Sequence, residues 1–364
     1  MYKVILLFSF LSILSCQKAI DFDLEKKKIK AQMDLVDQAH HKKDAKLFYR
    51  PNAENWYDVR NGVVSHLSKS DVIPATQSYL DSMTFKEMTR DDNPIIEISD
   101  DGTLASYIGS VTVKGILGES PVFWIVSWQS VLKKINGEWK IISSANTEAD
   151  KEASASLILK RVRQDFGSLD DNSSIYAYAN CTAPEASFET LILSRMTDGK
   201  MEQRYGDHHV LLKHGKNSSW TYNLNTKTLN EDPNGATKTF IQGHELHWLS
   251  LRPEDRYTRA SFKGVTTFNN QTAFNIEFTD ALGKPINFYY SFDSYIPLGF
   301  ELHPADQEEV VAVRFEDWEK INDISVFKKA FFIQGDDIFE YDFVDIKFDQ
   351  LDDEDFETKI GVIK

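Results

Sequence analysis

From Ile175 to the C-terminus the chain is a succession of short runs in which apolar and polar residues alternate, the pattern of strands with one buried face. Stretches such as "FETLILSRMTDGKMEQRYG", "YTRASFKGVTTFNNQTAFNIEFTDALGKPINFYYSFDSYIPLGFEL" and "IFEYDFVDIKF" leave little room for helix. Asp198-Gly199, Leu282-Gly283 and Gly335-Asp336 fall between runs, where a hairpin meander needs its turns. Strands repeated at this spacing predict one large curved sheet or a partly closed barrel.

Upstream the period differs. Ile29, Met33, Val36 and His40 fall at helical spacing, and "DAKLFYR" adds Ala45, Phe48 and Tyr49 on a second short helix. "SKSDVIPATQSYLDSM" predicts a third, with capping serines, Pro74 in its first turn and an apolar stripe of Ile73, Tyr79, Leu80 and Met83. "NPIIEIS", "LASYIGSVTVKG", "VFWIVSWQSVLKKI" and "EWKIISSANT" then alternate, separated by turns at Asp101-Gly102, Gly118 and Asn136-Gly137. Three helices followed by an antiparallel sheet are therefore expected. Residues 148–167 are charged and alanine-rich, with Leu157, Ile158 and Val162 on one stripe, and mark a boundary whose helix belongs to the second half of the chain. With 41% hydrophobic residues, 364 residues suffice for two domains with real cores, and the expected fold class is α+β.

The N-terminus reads differently again. The apolar stretch from Val4 to Leu14, behind Lys3, is far short of the roughly 20 residues that span a bilayer, so residues 1–15 read as a signal peptide. Ile13-Leu14-Ser15-Cys16 looks like a lipobox, which implies cleavage before Cys16 and acylation of its thiol and amine with palmitate-type chains. Each buried CH₂ of such an anchor contributes about 0.8 kcal/mol. Residues 16–23 then form a tether, 24–150 a first domain and 151–364 a second. Only Cys181 remains beside Cys16, so no intramolecular disulfide is expected once Cys16 is acylated. A net charge of −15 argues against nucleic-acid binding and against electrostatic adhesion to anionic lipid.

Two resemblances sharpen the fold. "WQSVLKKINGEWKIISS" resembles the closing hairpin of the nuclear transport factor 2-like superfamily in its SnoaL-like branch, through Trp128, Val131, Leu132, Lys133, Lys134, Gly137, Trp139 and Lys140. The resemblance implies a cone of helices on a curved antiparallel sheet, a superfold that hosts isomerases, cyclases, hydrolases and binding proteins alike. The second half is similar to the Lol-type lipoprotein carrier half-barrel in its order of elements. The likeness runs through a leading helix, Gly215, Trp220 and Tyr222, "YYSFDSYIPLGFEL" and "FKKAFFIQGDDIFEYDFVDIKFD". It implies a sheet that shelters acyl chains or hydrophobic peptides.

Few residues suggest chemistry. Asp58 beside Tyr57 could act as a base with an oxyanion donor inside an apolar cone, although strand alternation sends the two to opposite faces unless a bulge intervenes. Otherwise Trp56 and Tyr57 pack the core and Asp58 caps a turn or meets solvent. Trp124 and Trp128 share a strand face, as sheet core or, with Trp56, as an aromatic wall for a ligand. His244 and His247 stand at i, i+3 and need a third ligand to hold a metal. The plainer reading seats Leu246, Leu249 and Leu251 on the sheet and leaves the histidines and residues 252–255 in an exposed turn. The acidic "DQLDDEDFE" reads as a solvated edge guarding the last strand. Nucleophile-elbow, Walker and Rossmann signatures are absent from the sequence. The expected protein is lipid-anchored in a bacterial cell envelope, at the outer membrane with a periplasmic or surface face. It binds an apolar small molecule, an acyl chain or an envelope partner without a cofactor. The alternatives are a SnoaL-like isomerase or hydrolase acting through Asp58, and a protein-docking module.

Overall fold

A computed structural model of the chain describes residues 20–90, 93–205, 208–215, 219–303 and 309–357. The expected signal peptide, residues 1–15, and Cys16 lie outside the described residues. The chain divides into two compact units, one of residues 1–120 and 125–148, the other of Pro121–Trp124 and Ala149–Lys364. Most of the regular structure is β.

In the first unit the elements are α1 (Phe22–Lys42), α2 (Ala45–Phe48), β1 (Asn52–Arg60), β2 (Val63–Ser68), α3 (Lys69–Ser82), β3 (Met83–Arg90), β4 (Ile95–Ile98), β5 (Leu104–Leu117), β6 (Ser120–Ile135) and β7 (Glu138–Glu148). Asp21 starts α1 by accepting the Leu24 amide at 3.0 Å, and Lys43 stops it in the left-handed region at φ 52°. The sheet runs β2-β1-β7-β6-β5-β3, with β4 also on β5. Two expectations change here. The hairpin β1–β2 precedes α3, so the helices are not grouped ahead of the strands, and β1 pairs with β7 in parallel rather than antiparallel. Asn136 and Gly137, both with positive φ, make the tight turn between β6 and β7 that the sequence called for. Of the stripe expected on α3 only Leu80 is buried within the helix, while Met83, also buried, begins β3. Ile29 and Met33 of α1 fill the core against Ile96, Ala105, Tyr107, Leu132, Trp139 and Ile141.

The second unit opens with α4 (Lys151–Phe166), which buries Ala155, Ile158, Leu159 and Val162 and leaves Leu157 exposed. There follow β8 (Ser174–Thr182), β9 (Ser187–Arg195), β10 (Asp198–Tyr205), β11 (His208–His214), β12 (Ser219–Asn223) and β13 (Thr228–Glu231). Helices α5 (Ala236–His244) and α6 (Leu246–Leu251) interrupt the strands. The sheet resumes with β14 (Thr258–Phe268), β15 (Gln271–Thr279), β16 (Pro285–Ser291), β17 (Pro297–Leu302), β18 (Val311–Ile321), β19 (Ile324–Gln334) and β20 (Asp337–Phe348), and α7 (Asp353–Phe356) comes last. The 13 strands run β13-β12-β11-β10-β9-β8-β20-β19-β18-β17-β16-β15-β14, with antiparallel neighbours throughout.

A ladder of phenylalanines crosses six of these strands: Phe278, Phe288, Phe300, Phe315, Phe327 and Phe343, with successive ring centroids 4.2–6.0 Å apart. Each offset or edge contact adds about 0.5–1.5 kcal/mol beyond the area it buries. The last strand, β20, lies mid-sheet between β8 and β19 and needs no guard. The acidic tail is accordingly a clasp and not a solvated edge: Phe356 is buried beneath the Arg195 guanidinium, and Lys200 donates to the Asp355 carbonyl at 3.0 Å.

Candidate functional site

The segment "GHELHWLSLRPEDRY" builds the anchor of the site. Glu245, between α5 and α6, is buried and receives both Nε and a terminal nitrogen of Arg256, at 2.7 and 2.8 Å. His214 of β11 lies with Nε2 3.0 Å from the same carboxylate. Burial opposes ionisation of Glu245, but Arg256 and His214 beside it hold its carboxyl below the ordinary value. Arg256 also donates to the Met196 and Arg195 carbonyls, which ties the β9–β10 turn to the helices. Space for this cluster comes from Gly199, paired directly with His214, where a Cβ would stand 2.0 Å from the His214 Nε2. Asp198 and Gly199 therefore sit within β10, and the turn is made by residues 196–197.

Beside this anchor, α5 covers an open cavity of 1210 Å³, larger than the roughly 300–1,000 Å³ of ordinary ligand pockets. Phe240, Gly243 and His244 face it from α5, and Phe188, Leu212, Ile286, Leu302, Phe332 and Tyr341 from the sheet and its edges. The lining extends to residues 183–186, Tyr205, Leu282, His303 and Asp337, which belong to connections at one end of the antiparallel sheet or flank them. Pro184, Glu185, Tyr205, Leu282 and Asp337 include the more exposed of these, so the cavity opens at that end.

The two histidines of the motif do different things. The Nδ1–H of His244 donates to the Phe240 carbonyl at 2.8 Å while its ring stacks on Phe332 at 4.8 Å. Its Nε2 then carries a lone pair and meets no hydrogen-bonding partner among the described residues. His247 donates through Nε2 to the Phe327 carbonyl at 3.0 Å and lies flat on that ring, with Phe343 edge-on. Burial pushes both imidazoles down to about 4, so both are neutral at pH 7. The histidines are thus buried and not part of an exposed turn, whereas Glu254 in the turn that follows is exposed, and Leu246, Leu249 and Leu251 are buried. Among the described residues no group of three or more histidines, cysteines and carboxylates is placed to hold a metal ion. Cys181 is buried in β8, and burial pushes its thiol up to about 12.

The candidates in the first unit are dispersed. Trp56 is buried against Tyr49, Tyr57 is exposed on the opposite face beside His66, and Asp58 accepts the Ser144 hydroxyl at 2.8 Å. Trp128 packs on Tyr107 under the Arg90 guanidinium, as part of the core. Trp124, in the part of β6 that belongs to the second unit, is half-buried, and neither it nor Trp56 nor Trp128 lines the cavity. Among the described residues of the first unit the buried carboxylate is Glu25, which sequence reasoning passed over. Lys134 and Lys28 hold it at about 2 against the pull of burial, with the Trp139 indole donating at 2.7 Å. A carboxylate so stabilised as an anion is a structural counter-ion and a poor base. Asp37, its carboxyl raised by burial, pairs with Arg90 at 2.7 Å.

Sequence reading missed most of the site. Phe188, Phe240, Tyr257, Phe332 and Tyr341 converge only after strands far apart in the chain pair, and no local signal separates them from ordinary strand residues.

No family model matches the sequence, and no curated protein does. Among solved structures, a LolA superfamily protein from Nitrosomonas europaea is 11% identical, with 58% of this chain and 99% of that one covered at a TM-score of 0.40. A DUF1329 family protein from Desulfovibrio piger is 15% identical over 58% of this chain and 99% of its own, at a TM-score of 0.41. An NTF2-like protein from Cytophaga hutchinsonii is 17% identical over 34% of this chain and 98% of its own, at a TM-score of 0.29.

Proposed function

We propose that the chain is a lipid-anchored binding protein of a bacterial cell envelope, held to the membrane through acylated Cys16. Its second domain, residues 151–364, shelters an apolar small molecule or acyl chain. The observation that carries this reading is the cavity beneath α5, open at one end and walled largely by aromatic and aliphatic side chains. Unlike the compact core of the first unit, it offers room for a long hydrocarbon. The polar cluster beside it is engaged in structure: Glu245 pairs with Arg256 and lies against His214, and these contacts fix α5 and α6 to the sheet. Residues 24–150 form a separate domain in this reading.

The test is native mass spectrometry, with organic extraction, of the chain from Gln17 onward after secretion through its host's envelope. That chain retains every described residue. A co-purifying molecule with a long hydrocarbon portion is the expected result. A protein that consistently emerges at its bare polypeptide mass, and yields no extractable lipid, would remove the support for a carrier.

A further inference from the structure

The polar groups of the cavity limit what the head of its ligand can be. Three carboxylates line it, Glu185 and Asp337 at the exposed end and Asp280 buried at the β15–β16 turn, and no lysine or arginine does so among the described residues. His244 presents an acceptor nitrogen, since its donor is spent on the Phe240 carbonyl. The hydroxyls of Tyr257 and Thr239, both lining residues, are buried and have no hydrogen-bond partner among the described residues. A buried hydroxyl left unpaired is destabilising, so a ligand that pairs it recovers affinity. An anionic head would meet these carboxylates and find no lysine or arginine among the described lining residues to offset them.

We propose that the cavity selects long-chain amphiphiles whose head carries a hydroxyl or amine donor and no negative charge, with His244 Nε2 as the acceptor of that donor and, for a hydroxyl head, Tyr257 and Thr239 as donors to its oxygen. The proposal rests on the carrier reading above and adds the chemistry of the head. Fatty acids and phosphorylated lipids are excluded by charge, whereas alcohols, monoacylglycerols and long-chain amines fit.

Displacement of an apolar naphthylamine dye from the chain beginning at Gln17 separates the two claims. Dodecanol, monolaurin, dodecylamine, laurate and dodecyl phosphate serve as competitors at pH 8 and low salt, each below its micelle concentration. The expected order places dodecanol, monolaurin and dodecylamine at least about tenfold ahead of laurate and dodecyl phosphate, as one lost charge-free hydrogen bond plus like-charge repulsion would give. Tyr257→Phe deletes a hydroxyl that has no partner among the described residues, so the variant is expected to fold as stably as the parent and to bind dodecanol several-fold more weakly. His244→Phe keeps the ring stack on Phe332 and is expected to abolish the preference for dodecanol over its methyl ether, which cannot donate. Equal or tighter binding of laurate, or unchanged dodecanol affinity in both variants, overturns the proposed selectivity while leaving the carrier intact. A dye that does not bind at all overturns both.

Discussion

At the scale of single residues, stability in the second unit concentrates where the sequence looked least informative. Gly199 reads as a hairpin turn because it follows an aspartate, yet it serves as bare backbone against which His214 and Glu245 close. A sequence does not distinguish a glycine chosen for positive φ from one chosen for missing volume. Removing one partner of such a buried cluster leaves an uncompensated charge, so Glu245→Gln is expected to cost about 3–5 kcal/mol in denaturant unfolding, and Gly199→Ala a similar amount by displacing His214. His247 makes a second prediction. Its folded-state value is lowered to about 4 from 6.5, so its contribution is complete above pH 6.5 and is lost as pH falls towards 4, where the unfolded chain binds the extra proton. Wild-type stability should therefore fall more steeply across that window than that of His247→Phe, by up to about 3 kcal/mol. Parallel slopes in the two proteins would contradict the assignment.

Whole elements were far more legible than the site, because each is set by local periodicity. The meander of the second unit, α1 with Ile29 and Met33 inward, and the Asn136-Gly137 turn are all written within a dozen residues or fewer of sequence. What failed depended on distant pairing. The parallel β1–β7 contact joins segments separated by over 80 residues, and the register shift between Phe343 and Asp345 in β20 moves the buried parity from Tyr341 and Phe343 to Ile346 and Phe348. The histidines of "GHELHW" are buried because aromatic rings of β19 and β20 receive them, a fact invisible in the motif itself. Helix α1 carries its own test. Glu25 ties it to β6 and β7 through Lys134 and Trp139, and its carboxyl is held at about 2. That contribution is present above pH 4.5 and lost as pH falls towards 2. Glu25→Gln should thus lower stability at pH 7 by about 1–2 kcal/mol, allowing for solvent screening of the two partly exposed lysines, and by almost nothing at pH 2. Thermal unfolding at the two pH values reads this directly.

At the scale of the whole molecule, the proposed function joins a lipid anchor at Cys16 to a cavity in the second unit. The anchor predicts that radiolabelled palmitate is incorporated by the wild-type chain and not by Cys16→Ser, and label retained in that variant would place acylation elsewhere. The central claim is that the space beneath α5 is where an apolar ligand sits. Gly243 gives the cleanest handle, since a side chain built there meets nothing closer than Leu302 Cδ2 at 3.5 Å and would project from α5 into the cavity. The decisive measurement is a fluorescence titration of an apolar naphthylamine dye against the wild-type chain and Gly243→Trp, with unfolding midpoints recorded for both. Saturable 1:1 binding to the wild type, lost in a variant that unfolds at the same temperature, is the predicted result. Equal binding by a folded Gly243→Trp, or none by either protein, would contradict it.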